Sequence, residues 1–79
     1  METSQSWVAQ VTARIRAAIA EAGLTEEYVG EQAGLVNSRM SRAFNYPDRY
    51  PFDLGHVENF AKVLGKSPAD FVPQSEGVA

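Results

Sequence analysis

Gly34 separates two short runs that read as helices, and this pattern constrains the fold more than any other part of the chain. The run from Leu24 to Ala33 has a polar cap residue, Thr25, then Glu26 and Glu27 where a helix dipole favours acids, then Val29 and Ala33 one turn apart. The run from about Asn37 to Asn45 places Met40, Ala43 and Phe44 on one side and Ser38, Arg39, Ser41 and Arg42 on the other. Gly34 is expected at positive φ, where a side chain would be strained. Gly30 is small enough to let the next helix approach closely. Asn37 or Ser38 is expected to cap the second helix or to lie in its first turn. Two short helices joined by a three- or four-residue turn containing glycine form a helix-turn-helix.

The flanking sequence predicts further helices and no strands. Trp7, Val11, Ile15, Ala18, Ile19 and Ala22 recur at three- and four-residue steps, which predicts a helix over about Ser6 to Ala22 that ends at Gly23. Ser4 or Ser6 is available as its cap, and Arg14 and Arg16 point away from the stripe as surface charges. Tyr46 to Pro51 holds two prolines and cannot continue a helix. It reads as an ordered loop in which at least one tyrosine packs. Asp53 then caps a helix over about Leu54 to Leu64, with Leu54, Val57, Phe60, Ala61 and Leu64 inward and Gly65 as its stop. Ser67-Pro68-Ala69-Asp70 is a strong helix start, and a short fifth helix is expected to carry Phe71 and Val72 into the core or a dimer interface. The expected organisation is therefore all-α: a flexible start over 1–5, one five-helix domain over 6–73 and a disordered tail over 74–79.

Composition narrows the function. A 79-residue chain is expected to form one marginally stable domain. Without cysteine it has no disulfide and no thiolate metal site. No apolar run approaches the ~20 residues of a membrane span, and Met1 to Ser6 lacks a signal pattern, so a cytoplasmic location is expected. A net charge of −3 argues against a nonspecific nucleic-acid coat. The acids are unevenly spread, however: Gln32 to Pro47 contains none, yet holds Arg39 and Arg42, with Arg49 just beyond. A local positive field can serve a specific reader whatever the total charge. The sequence offers no metal-ligand spacing, nucleophile elbow or phosphate loop. The single histidine, His56, near Asp53 and Glu58, reads as a helix residue rather than a catalyst. No enzyme activity, cofactor, metal or small-molecule substrate is expected.

From about Val11 to Val72 the chain resembles the Cro/repressor family of helix-turn-helix DNA-binding domains, also called the XRE or lambda-repressor-like family. The resemblance rests on Leu24-Thr25-Glu26-Glu27, on Val29-Gly30, Ala33-Gly34-Leu35 and Met40, on Ser41-Arg42-Ala43-Phe44-Asn45, and on Ala61 through Phe71. The chain departs from the family at three positions. Glu26 stands near a phosphate-facing position usually held by Gln, Ser or Thr, Ala43 replaces a larger aliphatic, and Tyr46 replaces a Gly. A carboxylate at Glu26 would repel DNA unless it is turned away or neutralised.

The resemblance implies a double-stranded DNA operator as partner and a recognition helix that delivers donors to base edges. Asn37, Ser38, Arg39, Ser41 and Arg42 are the implied base-contacting residues, with Asn37 also a candidate cap and Arg39 also able to reach a phosphate. Arginine suits guanine O6 and N7, and asparagine suits adenine N6 and N7. Thr25, Gln32, Asn45 and Arg49 are the implied phosphate contacts, which position rather than specify. One arginine–guanine pair gives only about 1–3 kcal/mol of discrimination. A homodimer on half-sites about 34–36 Å apart is therefore expected, with Phe71 and Val72 at its interface. The function that follows is a transcriptional regulator, a phage- or prophage-type repressor acting by promoter occlusion. The competing reading is an antitoxin or protein-interaction adaptor on the same fold, which suits the net acidity and Glu26.

Overall fold

The computed structural model describes residues 6–73. The expected flexible start (1–5) and disordered tail (74–79) lie outside the described residues. Four α-helices follow in order: α1 Trp7–Glu21, α2 Glu26–Ala33, α3 Asn37–Asn45 and α4 Leu54–Leu64, then a 3-10 turn over Pro68–Phe71. Among the described residues there is no strand, so the all-α expectation holds. The expected fifth α-helix is the short 3-10 turn, a form favoured for pieces this brief.

Local chemistry sets these boundaries. The side chains of Ser6, Thr25, Asp53 and Ser67 each accept a hydrogen bond from a backbone N–H of the turn that follows. Each such cap is worth about 1 kcal/mol. At the start of α4 the exchange is reciprocal: the backbone N–H of His56 donates to Asp53 Oδ1 at 2.8 Å, and that of Asp53 to His56 Nδ1 at 3.2 Å. The lone histidine thus serves as a capping partner.

Helix ends are equally determined. Gly34 adopts φ +88°, and the bonds Gly34 N–H to Glu31 O and Leu35 N–H to Gly30 O close α2 in a Schellman motif. The same pair of bonds closes α1 at Gly23 and α4 at Gly65.

The core is assembled from one stripe of each helix. Val11, Ile15, Ala18 and Ile19 of α1 meet Val29 and Ala33 of α2, Met40 and Phe44 of α3, Val57, Phe60 and Ala61 of α4, and Phe71. Thr12 is buried on α1, and its hydroxyl donates to the Val8 carbonyl at 2.9 Å. Gly30 lies against Met40: a Cβ at position 30 would stand 2.6 Å from Met40 Cγ. The missing side chain is therefore what lets α2 and α3 meet.

The apolar stripes overrun the core at their ends. Trp7 is 54% exposed, Leu54 80% exposed, and Ala22 also lies open. All three were expected inward. Each lies at or beside a helix end, where periodicity continues but the packed neighbour does not.

Candidate nucleic-acid interface

The α2–turn–α3 unit presents its polar residues outward. Asn37, Ser38, Ser41, Arg42 and Asn45 of α3 are all exposed. Val36 occupies the cap position of α3 and has no capping side chain, so Asn37 is the first helical residue and not the cap. Of the two expected places, cap or first turn, Asn37 and Ser38 take the first turn. The physical consequence is that the Asn37 amide and the Ser38 hydroxyl are not spent on their own helix.

Along the helix, Asn45 Nδ2 donates to Ser41 Oγ at 3.3 Å, linking two expected contact residues one turn apart. Thr25 caps α2 by accepting from the Tyr28 N–H at 3.0 Å, which leaves its hydroxyl hydrogen as a donor. Gln32 is exposed near the end of α2.

The three arginines in and beyond the acid-poor stretch separate into two classes. Arg39 is half-buried and its fork grips the following loop: Nη1 donates to the Tyr50 carbonyl at 3.1 Å and Nη2 to the Pro51 carbonyl at 2.8 Å. Its guanidinium also stands 5.5 Å from the centroid of Phe52. Arg42 and Arg49 are exposed and both lie near one ring, 5.9 Å and 5.8 Å from the centroid of Tyr50. Tyr50 is half-buried and Tyr46 is exposed, so the packing tyrosine is Tyr50. The loop's acid, Asp48, accepts a hydrogen bond from the Ser6 hydroxyl.

Glu26 is neutralised locally. Arg16 Nε lies 2.7 Å from Glu26 Oε2, and the Arg16 guanidinium is 5.3 Å from the centroid of Phe44. Arg16 is thus a bridge among α1, α2 and α3 rather than a plain surface charge. Nothing in the spacing of α1 signals this, because the pairing spans two helices and a turn.

The expected dimer patch divides. Phe71 is 1% exposed and belongs to the core. It has no surface to offer a second chain, which corrects that expectation. Val72 is half-buried and lines a narrow apolar slot of about 50 Å³ with Trp7, Val11, Phe52, Leu54 and Val57. The exposed apolar area at this end of the molecule is therefore Trp7 and Leu54 beside Val72. Among the described residues no helix is long and apolar enough to cross a membrane, and no His, Asp and Glu cluster is arranged to hold a metal.

The fold recurs in a solved protein. The crystal structure of a hypothetical transcription factor, NHTF, from Neisseria is similar to this chain with a TM-score of 0.76, over 96% of this chain and 87% of that one, at 19% identity. At that identity the likeness is one of fold. No protein-family model matches the chain, and no curated protein matches it.

Proposed function

We propose that this chain is a sequence-specific double-stranded DNA-binding transcriptional regulator of the Cro/repressor type, a phage- or prophage-style repressor that acts by covering a promoter. The observation that carries this reading is the outer face of α3. Four side chains suited to base edges or phosphates, Asn37, Ser38, Ser41 and Arg42, are exposed on a helix that follows a glycine turn. None of the first three is used as that helix's cap. No acid lies in the sequence from Gln32 to Pro47. The fold shared with a hypothetical transcription factor supports the same class of function.

In this reading Asn37, Ser38 and Arg42 read base edges, with Ser41 beside them. Thr25, Gln32, Asn45 and Arg49 hold phosphates. No catalysis, cofactor or metal is involved, and the protein acts in the cytoplasm. A homodimer doubles the readout, and with Phe71 buried the second copy meets Trp7, Leu54 and Val72.

Selection of bound sequences from random duplex DNA tests the proposal. One enriched motif, bound more tightly than a scrambled duplex at ~0.15 M salt, is the expected result. Affinity that is the same for all duplexes and vanishes at that salt would remove it.

One observation favours a second reading, the antitoxin or adaptor. Trp7 and Leu54 are large, apolar and exposed side by side along one slot, the kind of patch that marks protein contact. Co-purification of one stoichiometric protein partner, lost in Leu54→Lys, together with no enriched DNA motif, would establish it.

A further inference from the structure

We propose that Arg39 is a positioning residue: it fixes the Tyr46–Phe52 loop against α3 so that Arg49 holds a phosphate of the DNA backbone while Arg42 stays free to read a base. This rests on the DNA-binding reading above, and deepens it by assigning the residue that positions the Arg49 contact.

The assignment starts from what Arg39 touches. A recognition-helix arginine that reads a base needs its planar fork free. Here both terminal nitrogens donate to consecutive loop carbonyls, Tyr50 at 3.1 Å and Pro51 at 2.8 Å. The Arg49 and Tyr50 N–H groups both donate to the Tyr46 carbonyl, but Pro51 has no N–H with which to continue these bonds. The arginine fork supplies the fastening instead. Its guanidinium also lies near Phe52, whose ring meets Phe44 and Phe60 edge-on, at centroid distances of 5.6 Å and 4.8 Å. The loop is thereby tied to both α3 and the core.

Arg49 is linked to the same loop residue. Tyr50, whose carbonyl Arg39 holds, carries the ring near which both Arg42 and Arg49 lie. Both guanidinium groups are exposed, and they make neither an ion pair nor a hydrogen bond among the described residues. The adjacent acid, Asp48, is engaged by Ser6 on the α1 side. A phosphodiester is a singly charged group whose acceptor oxygens suit the exposed Arg49 guanidinium. Arg42 lies on the recognition helix near the same ring, so a phosphate held by Arg49 would belong to the duplex that helix reads.

The test is a double-mutant cycle on the selected duplex, using Arg39→Ala, Arg49→Ala and the double variant, with affinity measured from 0.05 to 0.2 M salt. Arg49→Ala should weaken binding by about five- to tenfold, the worth of one exposed hydrogen bond. It should also lower the salt slope by about 0.9, one phosphate. Arg39→Ala should show the same loss and the same slope change, and the double variant should be no worse than either. Additive losses, or an Arg39→Ala effect confined to one base position, would make Arg39 a direct DNA contact and overturn the proposal. So would a loss with the salt slope unchanged.

Two further measurements keep the outcome decisive. Arg39→Lys keeps the charge but not the two-carbonyl fork. It should lose binding as Arg39→Ala does, and full retention would overturn the proposal even where Arg39→Ala fails to fold. Without DNA, the Arg39 guanidinium N–H signals should appear in the NMR spectrum as slowly exchanging, and rapid exchange would contradict the fastening. Failure of the underlying DNA-binding reading is distinguishable, because the unsubstituted protein would then select no duplex at all.

Discussion

Arg16 on α1 and Glu26 in the first turn of α2 form an ion pair with Nε 2.7 Å from Oε2. Both side chains remain partly exposed, so the pair adds little to stability, at most about 1 kcal/mol. Its importance lies in the field. Glu26 stands beside the α2 N-terminus, where a duplex backbone would pass in the proposed complex, and Arg16 cancels its charge.

The consequence is directional. Arg16→Ala should weaken DNA binding by about three- to tenfold, as expected for an uncompensated like charge near a phosphate. Adding Glu26→Gln to Arg16→Ala should restore affinity. Duplex titrations of both variants at one fixed salt concentration check this, and an unrestored double variant would assign Arg16 a direct contact instead.

Gly30 and Met40 make a stability prediction independent of DNA. Alanine at position 30 places a Cβ 2.6 Å from Met40 Cγ, deep in the core and near the backbone end of that side chain. Overpacking of this kind costs about 1–3 kcal/mol, and the helix-propensity gain of replacing glycine offsets up to about 1 kcal/mol. Gly30→Ala should therefore lower stability by about 1–2 kcal/mol, a Tm drop of several degrees in a domain this size. A thermal scan showing a stabilised variant would contradict the close packing of α2 on α3.

Phe71 and Leu54 separate core from surface. Phe71→Ala should cost about 3–5 kcal/mol and lose folded protein. Leu54 is 80% exposed, so Leu54→Lys should leave stability within about 0.5 kcal/mol while abolishing self-association. Denaturant unfolding and sedimentation on the same two proteins decide the matter. A Leu54→Lys protein that still dimerises would place the second copy on another face.

Much of this architecture was legible in the sequence because it follows from local rules. Thr25, Asp53 and Ser67 cap helices because short polar side chains reach the N–H groups that follow, and Gly34 ends α2 because φ +88° suits it. The bounds of α4 agree with expectation for the same reason, and those of α3 agree although no side chain caps it. Periodicity failed where it has no information, at helix ends such as Trp7 and Leu54, where the pattern outlasts the neighbouring surface. It also failed for long side chains with distant partners. Arg39 looks on the helix wheel like a reader of bases, but its fork meets carbonyls 11 and 12 residues away. Arg16 looks like a solvated charge, but reaches across a turn to a carboxylate 10 residues away. Phe71 was open between core and interface because a capped turn does not say which side covers its aromatic residue.

The central claim is that α3 reads base edges through Arg42, and a cycle between protein and DNA tests it most directly. The affinity of the selected duplex is measured for the unsubstituted protein and for Arg42→Ala, each with the original site and with one guanine of the motif replaced in turn. The account predicts one position at which replacing the guanine weakens the unsubstituted protein by about 1–3 kcal/mol but leaves Arg42→Ala almost unaffected. If every guanine replacement weakens both proteins equally, or if Arg42→Ala binds as the unsubstituted protein does, α3 does not read bases through Arg42.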